Sequence, residues 1–494
     1  VYLDYAATSP VAPAVAELMQ QCLTGEGEFG NPGSAHAFGA AASARVERAR
    51  LQVAALLGAD ADEILFTSGA TESNNLAILG AARANAHQGR HIVTVRTEHK
   101  AVLDPCRHLE RSGFAVSYLT PARSGVLDPA VLIAALRADT VLVSVMCANN
   151  ETGVLQDIAA LGAACRERGI LFHSDCAQAA GKLDLDVHAL PVDLVSLTAH
   201  KLYGPKGIGA LYLARRARPR VWPVSFGGGQ EHGLRPGTLP THQIAGFGLA
   251  CEMARRELAI ESRRLAALRA RLWEALAPLG DVHLNGEGAP CLPGILNVSF
   301  GGVDGEALIS GLPGLAVSAG AACNSETREP SYVLRALGRD SRLAESSLRF
   351  SFGRDSTAAD IDRAAAAVSG EVVRLRALSP AAPLPEATPW VPAPGARTRR
   401  VTGEAGSAAE GTWVRFELLV EGAEVKGGRY QVLGCPHTID TAGWLCGQLP
   451  GRTLDALVPG TPADWATARQ VPVEKLGRLL IVEDALAACR ARPS

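Results

Sequence analysis

The stretch "TAHKLYGPKGIGALY" sets Lys201 immediately after an apolar run and before a Gly-Pro-Lys-Gly turn. Taken alone, such a lysine reads as a solvated loop charge. Its company suggests chemistry. "HSDCAQ" ends a second apolar run in Asp175 with Gln178 close behind, and "TSGATESNN" puts Gly69, Ala70 and Thr71 at the start of a helical pattern. Free N–H groups and the helix dipole at such a start suit a phosphate. An amine, a carboxylate and a phosphate cradle are the protein parts that pyridoxal phosphate requires: a covalent anchor, a partner for the pyridinium nitrogen and a holder for the phosphate.

These groups need elements that bring them together. The runs "HIVTV", "TVLVSVMCA", "GILFHSD", "DLVSLTA" and "GIGALYLA" are apolar on both faces, as expected of strands buried between helical layers, and helical patterns alternate with them. The pattern predicts an α/β fold with a mostly parallel sheet. The runs end in Glu98-His99, Asn149-Asn150-Glu151, Asp175 and Thr198-Ala199-His200-Lys201. Ligands of open α/β sheets bind at the carboxyl ends of the strands, so these four polar ends should converge.

Composition bounds the rest. The chain has 494 residues, long enough for roughly three domain-sized units. A net charge of −2 gives no electrostatic case for nucleic acid or an anionic membrane as a partner. No apolar run approaches the roughly 18 residues of a membrane span, and a cytoplasmic location is the default expectation. The cysteines number 11, an odd total without a C-x-x-C pair, which predicts reduced thiols that mostly act as small core residues. "SPAAPLPEATPWVPAPGARTRRVTGEAGSAAEG", residues 379–411, reads as a semi-rigid linker. It divides residues 1–378 from a small α+β tail, residues 412–494, with strands in "TWVRFELLVEG" and "GRYQVLG" and helical patterns after them. The last pattern sets Leu476, Leu479, Leu480, Glu483 and Leu486 at helical spacing, mostly on one apolar face. Between strand and helix lies "LGCPHTI", where Cys435 looks like an exposed thiol.

The stretches "YLDYAAT", "GNPGSAH", "TSGATESNN", "TEHKAV", "NNETG", "HSDCAQ", "TAHKLYGPKGIGALY", "GGGQEHGLRPGT", "EPSYVLRALG" and "SSLRFSFGR" occur in order over residues 1 to about 375. That segment resembles the class V cysteine desulfurases, which have the fold type I architecture of pyridoxal-phosphate enzymes. The resemblance implies a large domain over about 15–250 and a smaller one from the N-terminal segment plus about 251–378. It also implies that Lys201 binds the cofactor covalently, that Asp175 holds the pyridine nitrogen protonated, and that Gln178 bonds the ring hydroxyl. His99 would stack on the ring and shuttle protons. Ala70, Thr71, Thr198 and His200 would hold the phosphate, with Thr238 reaching in from the second subunit of a homodimer. Asn150 and Arg349 would grip the carboxylate of L-cysteine, and Cys323 of "VSAGAACNSETREPSYVL" would take its sulfur as a persulfide. The segment from Cys323 to "EPSYVL" is similar to the family's long-loop group, which hands sulfur to partner proteins. A selenocysteine lyase or another fold type I enzyme is the alternative, and a non-catalytic iron–sulfur assembly protein the alternative of another class.

The phrases "LGCPHTIDTA", "GRTLDAL" and "PVEKLGRLLIVEDAL" make the tail resemble the iron–sulfur scaffold domain of the IscU and NifU kind. Of the three cysteines that family uses, only Cys435 is present, and one thiolate cannot hold a cluster for which about four ligands are expected. No metal is therefore expected. Cys435 is left as a relic in a docking domain, a sulfur acceptor from Cys323, or a partial ligand. Cys446 and Cys489 are expected to face the core, and Cys176 to be a buried spacer.

Overall fold

A computed structural model describes residues 1–319, 330–377, 398–407, 412–472 and 475–490. Strands β1 (Ile64–Thr67), β2 (His91–Val95), β3 (Ala115–Leu119), β4 (Thr140–Ser144), β5 (Leu171–Asp175), β6 (Leu194–Thr198) and β7 (Gly209–Leu213) form one sheet in the order β1-β7-β6-β5-β4-β2-β3. Pairing is parallel from β6 through β3, and β7 alone runs against its neighbours. Every residue of β1, β2, β4, β5, β6 and β7 is buried, as their unbroken apolar character predicts, whereas β3 is a partly exposed edge.

Two histidines interrupt this apolar sheet. His173 in β5 bonds Ser144 Oγ of β4 through Nδ1 at 2.8 Å and Ser196 Oγ of β6 through Nε2 at 2.9 Å. His91 in β2 does the same with Thr140 Oγ1 at 2.7 Å and Ser117 Oγ at 2.9 Å. Both are fully buried, and burial pushes the His173 imidazole down to about 4, so it is neutral at pH 7.

The 36-residue helix Thr241–Leu276 joins two cores. Ile244, Phe247 and Cys251 pack into the large-domain core, while Leu268, Leu272 and Leu276 pack under a second sheet. That sheet, antiparallel with order β10-β11-β9-β8, comprises β8 (Val282–Leu284), β9 (Ile295–Phe300), β10 (Ser318–Ala319) and β11 (Ser347–Ser351). The N-terminal segment crosses between the cores. Leu3 belongs to the second, Ala6 and Val15 to the first, and Asp4 bridges to Ser351.

The tail is a three-stranded antiparallel sheet, β12 (Arg399–Ser407), β13 (Thr412–Glu421) and β14 (Glu424–Leu433), with helices Pro436–Gly447, Pro462–Arg469 and Leu476–Ala488. The expected linker 379–411 is corrected here: 399–407 pair along β13 throughout. Every proline of the expected linker lies before residue 395, and beyond them Val401 is free to bury its side chain in the tail core with Phe416, Leu418, Trp465 and Leu479. In the last helix Leu479 and Leu486 are buried as expected, but Leu480 is 51% exposed and Val482 and Ala485 complete the inner face. Lys475 Nζ lies 2.6 Å and an Arg478 guanidinium nitrogen 3.2 Å from the Glu306 carboxylate, tying the tail to the second domain.

Among the described residues ten cysteines are free and nine of them buried, Cys176, Cys446 and Cys489 included. Cys435 is buried too, at 2% exposure, which corrects its reading as an exposed thiol. With Pro436 starting the next helix, the chain turns inward and Cys435 becomes the residue before the first turn, its Sγ 3.3 Å from Thr438 Oγ1.

Candidate active site

At the carboxyl ends of β4, β5 and β6 lies a cavity of about 780 Å³. Its walls include Ala70, Thr71, His99, Asn150, Asp175, Gln178, Thr198, His200, Lys201 and Arg349. All ten were expected in one site from the sequence, and the structure brings them together. Thr238 is exposed and does not line the cavity of its own chain. Cys323 lies outside the described residues, between Ala319 and Pro330, both of which line the cavity. Cys435 is buried in the tail, at the start of helix Pro436–Gly447.

The carboxylate is held by groups that no periodicity identifies. Asn74 Nδ2 donates to Asp175 Oδ2 at 2.7 Å, and the Ala177 N–H donates to Oδ1 at 2.9 Å. Asn74 stands four residues after Ala70 on helix Ala70–Ala84, so the helix that offers N–H groups at its start also fixes the acid from its flank. That spacing was present in "TSGATESNN". Gly69 precedes this helix at φ 152°, and a side chain there would project toward Thr198 Oγ1, 3.8 Å away. The glycine thus leaves a gap between a helix start and a strand end, lined by hydroxyl and N–H donors, which fits a phosphate.

His99 caps helix Lys100–Arg111 by accepting at Nδ1 from the Ala101 N–H at 3.1 Å, so a neutral ring carries its proton on Nε2. Burial, with help from Lys201, lowers its pKa despite the opposing pull of Asp175. His200 bonds Thr8 Oγ1 at 3.2 Å, and burial, then the charges of Lys201, Lys206 and Lys182, push it down to about 4. Both imidazoles are neutral at pH 7.

Arg349 reaches the cavity from the second sheet. Its Nη1 donates to the Asn150 carbonyl at 2.8 Å, and Nη2 to Asp4 Oδ1 at 2.9 Å and Ser318 Oγ at 2.8 Å. Asp4 and Ser318 are bracing residues that sequence reasoning missed, because they come from the chain's first residues and a two-residue strand. Lys182 was missed as well: its Nζ donates to Gln178 Oε1 at 3.1 Å.

Glu151 is the remaining acid of the wall. Ser331 Oγ donates to its Oε2 at 2.5 Å, and burial raises its pKa to about 7 against the lowering effects of Ser331 and Arg349. The sign follows from linkage. A carboxyl with a raised folded-state pKa favours folding while protonated, so its contribution begins to fall above the ordinary Glu value and is lost as pH rises through about 7. Glu151→Gln is therefore expected to melt higher than the parent at pH 8, with the gain shrinking to nothing near pH 4. Thermal melts at both pH values check this; a gain independent of pH would contradict it.

A seven-stranded, mostly parallel sheet with Lys201 and Asp175 at its strand ends defines the class, the pyridoxal-phosphate enzymes of fold type I, and residues 1–364 match the family model for aminotransferase class-V. Over 381 residues the chain is 56% identical to "Cysteine desulfurase IscS" of Pectobacterium atrosepticum, covering 77% of this chain and 94% of that one. Among solved structures, a "NIFS-like protein" superposes with a TM-score of 0.70 at 35% identity, over 76% of this chain and 99% of the other. "SspA in complex with cysteine" superposes with a TM-score of 0.64 at 39% identity, over 71% and 98%. The chain belongs to the IscS group of cysteine desulfurases within the class-V family. The family match ends before the tail.

Proposed function

We infer that the protein is a cysteine desulfurase that converts L-cysteine to L-alanine and collects the sulfur as a persulfide on Cys323. The observation that carries this reading is the convergence of Lys201, Asp175 and Arg349 on one cavity, from two strand ends of one domain and the sheet of the other. When bound, pyridoxal phosphate supplies an electron sink for the substrate's α-carbon. Lys201 would hold it covalently, Asp175 would keep its ring nitrogen protonated, and Gln178 would meet its ring oxygen. The helix start at Ala70 and Thr71, with Thr198 and His200, would hold its phosphate.

The chain's own groups divide the remaining work. Arg349, its guanidinium fixed by Asp4 and Ser318, meets the substrate carboxylate together with Asn150. The Lys201 amine takes the α-proton, and His99 Nε2 moves protons on the other side of the substrate. The Cys323 thiolate attacks the substrate sulfur and forms the persulfide bond as the carbon–sulfur bond breaks; the bonding pair stays with the substrate carbon, which takes a proton before alanine departs. Thr238, which is exposed and outside its own cavity, would serve the phosphate site of the second subunit in a homodimer.

The tail, with its IscU-like order of strands and helices, reads best as a docking or scaffold-derived domain. The burial of Cys435 and its contact with Thr438 weigh against that thiol as a sulfur acceptor or a partial ligand. Sulfur then goes to acceptor or iron–sulfur scaffold proteins outside this chain.

The test is product analysis of the cofactor-loaded protein with L-cysteine and a reductant. Alanine and sulfide in equal amounts are expected; keto acid without sulfide would overturn the reading. Turnover confined to selenocysteine would assign the lyase alternative instead.

A further inference from the structure

Gln178 is 3% exposed and both ends of its amide are engaged. Nε2 donates to the Ala6 carbonyl at 2.8 Å, and Oε1 accepts from Lys182 Nζ at 3.1 Å. Amide orientations are ordinarily ambiguous, because oxygen and nitrogen have the same shape. Here the partners remove the ambiguity: the Ala6 backbone carbonyl only accepts, and the Lys182 nitrogen carries hydrogens to donate in either of its protonation states. Flipping the amide would set its oxygen against the Ala6 carbonyl and forfeit the bond that Lys182 Nζ donates to Oε1. One N–H of Gln178 therefore remains, and it is the only polar hydrogen this side chain can offer the cavity.

Lys182 itself stands outside the main cavity and lines a separate void of about 40 Å³ between the N-terminal segment and helix Thr241–Leu276. We propose that Lys182 is a positioning residue that locks the Gln178 amide with its N–H toward the cofactor's ring oxygen, holding that oxygen in its deprotonated form. This rests on the pyridoxal-phosphate reading of the cavity and adds to it the side chain that, with the Ala6 carbonyl, fixes which end of Gln178 the cofactor meets. An N–H donor facing an oxyanion is a charge-assisted bond, whereas an amide oxygen turned that way would favour the protonated oxygen.

The test uses the full chain stripped of cofactor and titrated with pyridoxal phosphate, read by dissociation constant and by absorption spectrum. Lys182→Met is expected to weaken binding roughly tenfold and to move part of the visible band toward the near ultraviolet, the mark of a protonated ring oxygen. Lys182→Arg, which keeps a donor for Gln178 Oε1 and cannot accept, should restore both. In a Gln178→Ala background Lys182→Met should add nothing, because the effect runs through Gln178. An unaltered spectrum and affinity in Lys182→Met would overturn the proposal, as would a full additional shift in the Gln178→Ala background, which would make the lysine a direct electrostatic partner. Should Lys182→Met not fold, Lys182→Leu, which likewise cannot donate, takes its place in both arms with the same expected directions. Failure of the unmodified protein to bind pyridoxal phosphate would defeat the cofactor reading itself, a result distinguishable from all of these.

Discussion

Lys201→Ala is expected to lose at least about four orders of magnitude in alanine formation from L-cysteine, since in the proposed mechanism Lys201 is both the covalent anchor and the base that takes the α-proton. Borohydride reduction should then fail to attach the cofactor to the chain, although Ala70, Thr71 and Asp175, the proposed phosphate and ring-nitrogen partners, would remain to bind it reversibly. The informative rival is Lys182. Burial, with the nearby charges of Lys201 and Arg349, pushes its pKa down to about 7, so much of it is an uncharged amine at neutral pH. It nevertheless sits outside the cavity with its nitrogen on Gln178. If borohydride still attached cofactor in Lys201→Ala at the rate of the parent, with turnover preserved, the assignment of Lys201 would fall.

Arg349→Lys should separate substrate recognition from cofactor binding. A planar guanidinium can meet a carboxylate while its other nitrogens stay on the Asn150 carbonyl, Asp4 and Ser318; a lysine has one nitrogen for all of these. Losing a hydrogen-bonded partner for a desolvated charge costs about 3 kcal/mol, or roughly two orders of magnitude in kcat/KM for L-cysteine. The loss should be mostly in KM, with the cofactor spectrum unchanged. A large fall in kcat at constant KM would instead place Arg349 in the chemical step, and a thermal transition displaced by many degrees would mean that its brace to Asp4 matters chiefly for the fold.

The parts of the site that were legible in the sequence are those where one residue type and one position coincide. Lys201, Asp175 and Asn150 end buried apolar strands, a place where polar groups are conspicuous, and Gly69 marks a helix start. The bracing groups were not legible in that way. Asp4 and Ser318 reach Arg349 from segments far apart in the chain, and Lys182 reaches Gln178 across a tight turn whose local pattern resembles any surface loop. In the tail, composition misled where pairing decides. The prolines before residue 395 made the following stretch look like more linker, yet 399–407 has a long strand beside it to pair with. Cys435 looked exposed because its neighbours are small and polar, while its burial is set by the helix that follows.

The two histidines that clasp the large sheet bear on how the enzyme meets its ligands. His173 is tied to β4 on one side and β6 on the other, two residues before Asp175 and in register with the strand that leads into Lys201. A slip of one position would turn that imidazole to the opposite face and leave two buried hydroxyls without partners, so misaligned sheets are penalised during folding. The spacing between acid and amine is thereby a property of the ligand-free chain, and little conformational free energy has to be spent on ordering the site when cofactor and substrate arrive.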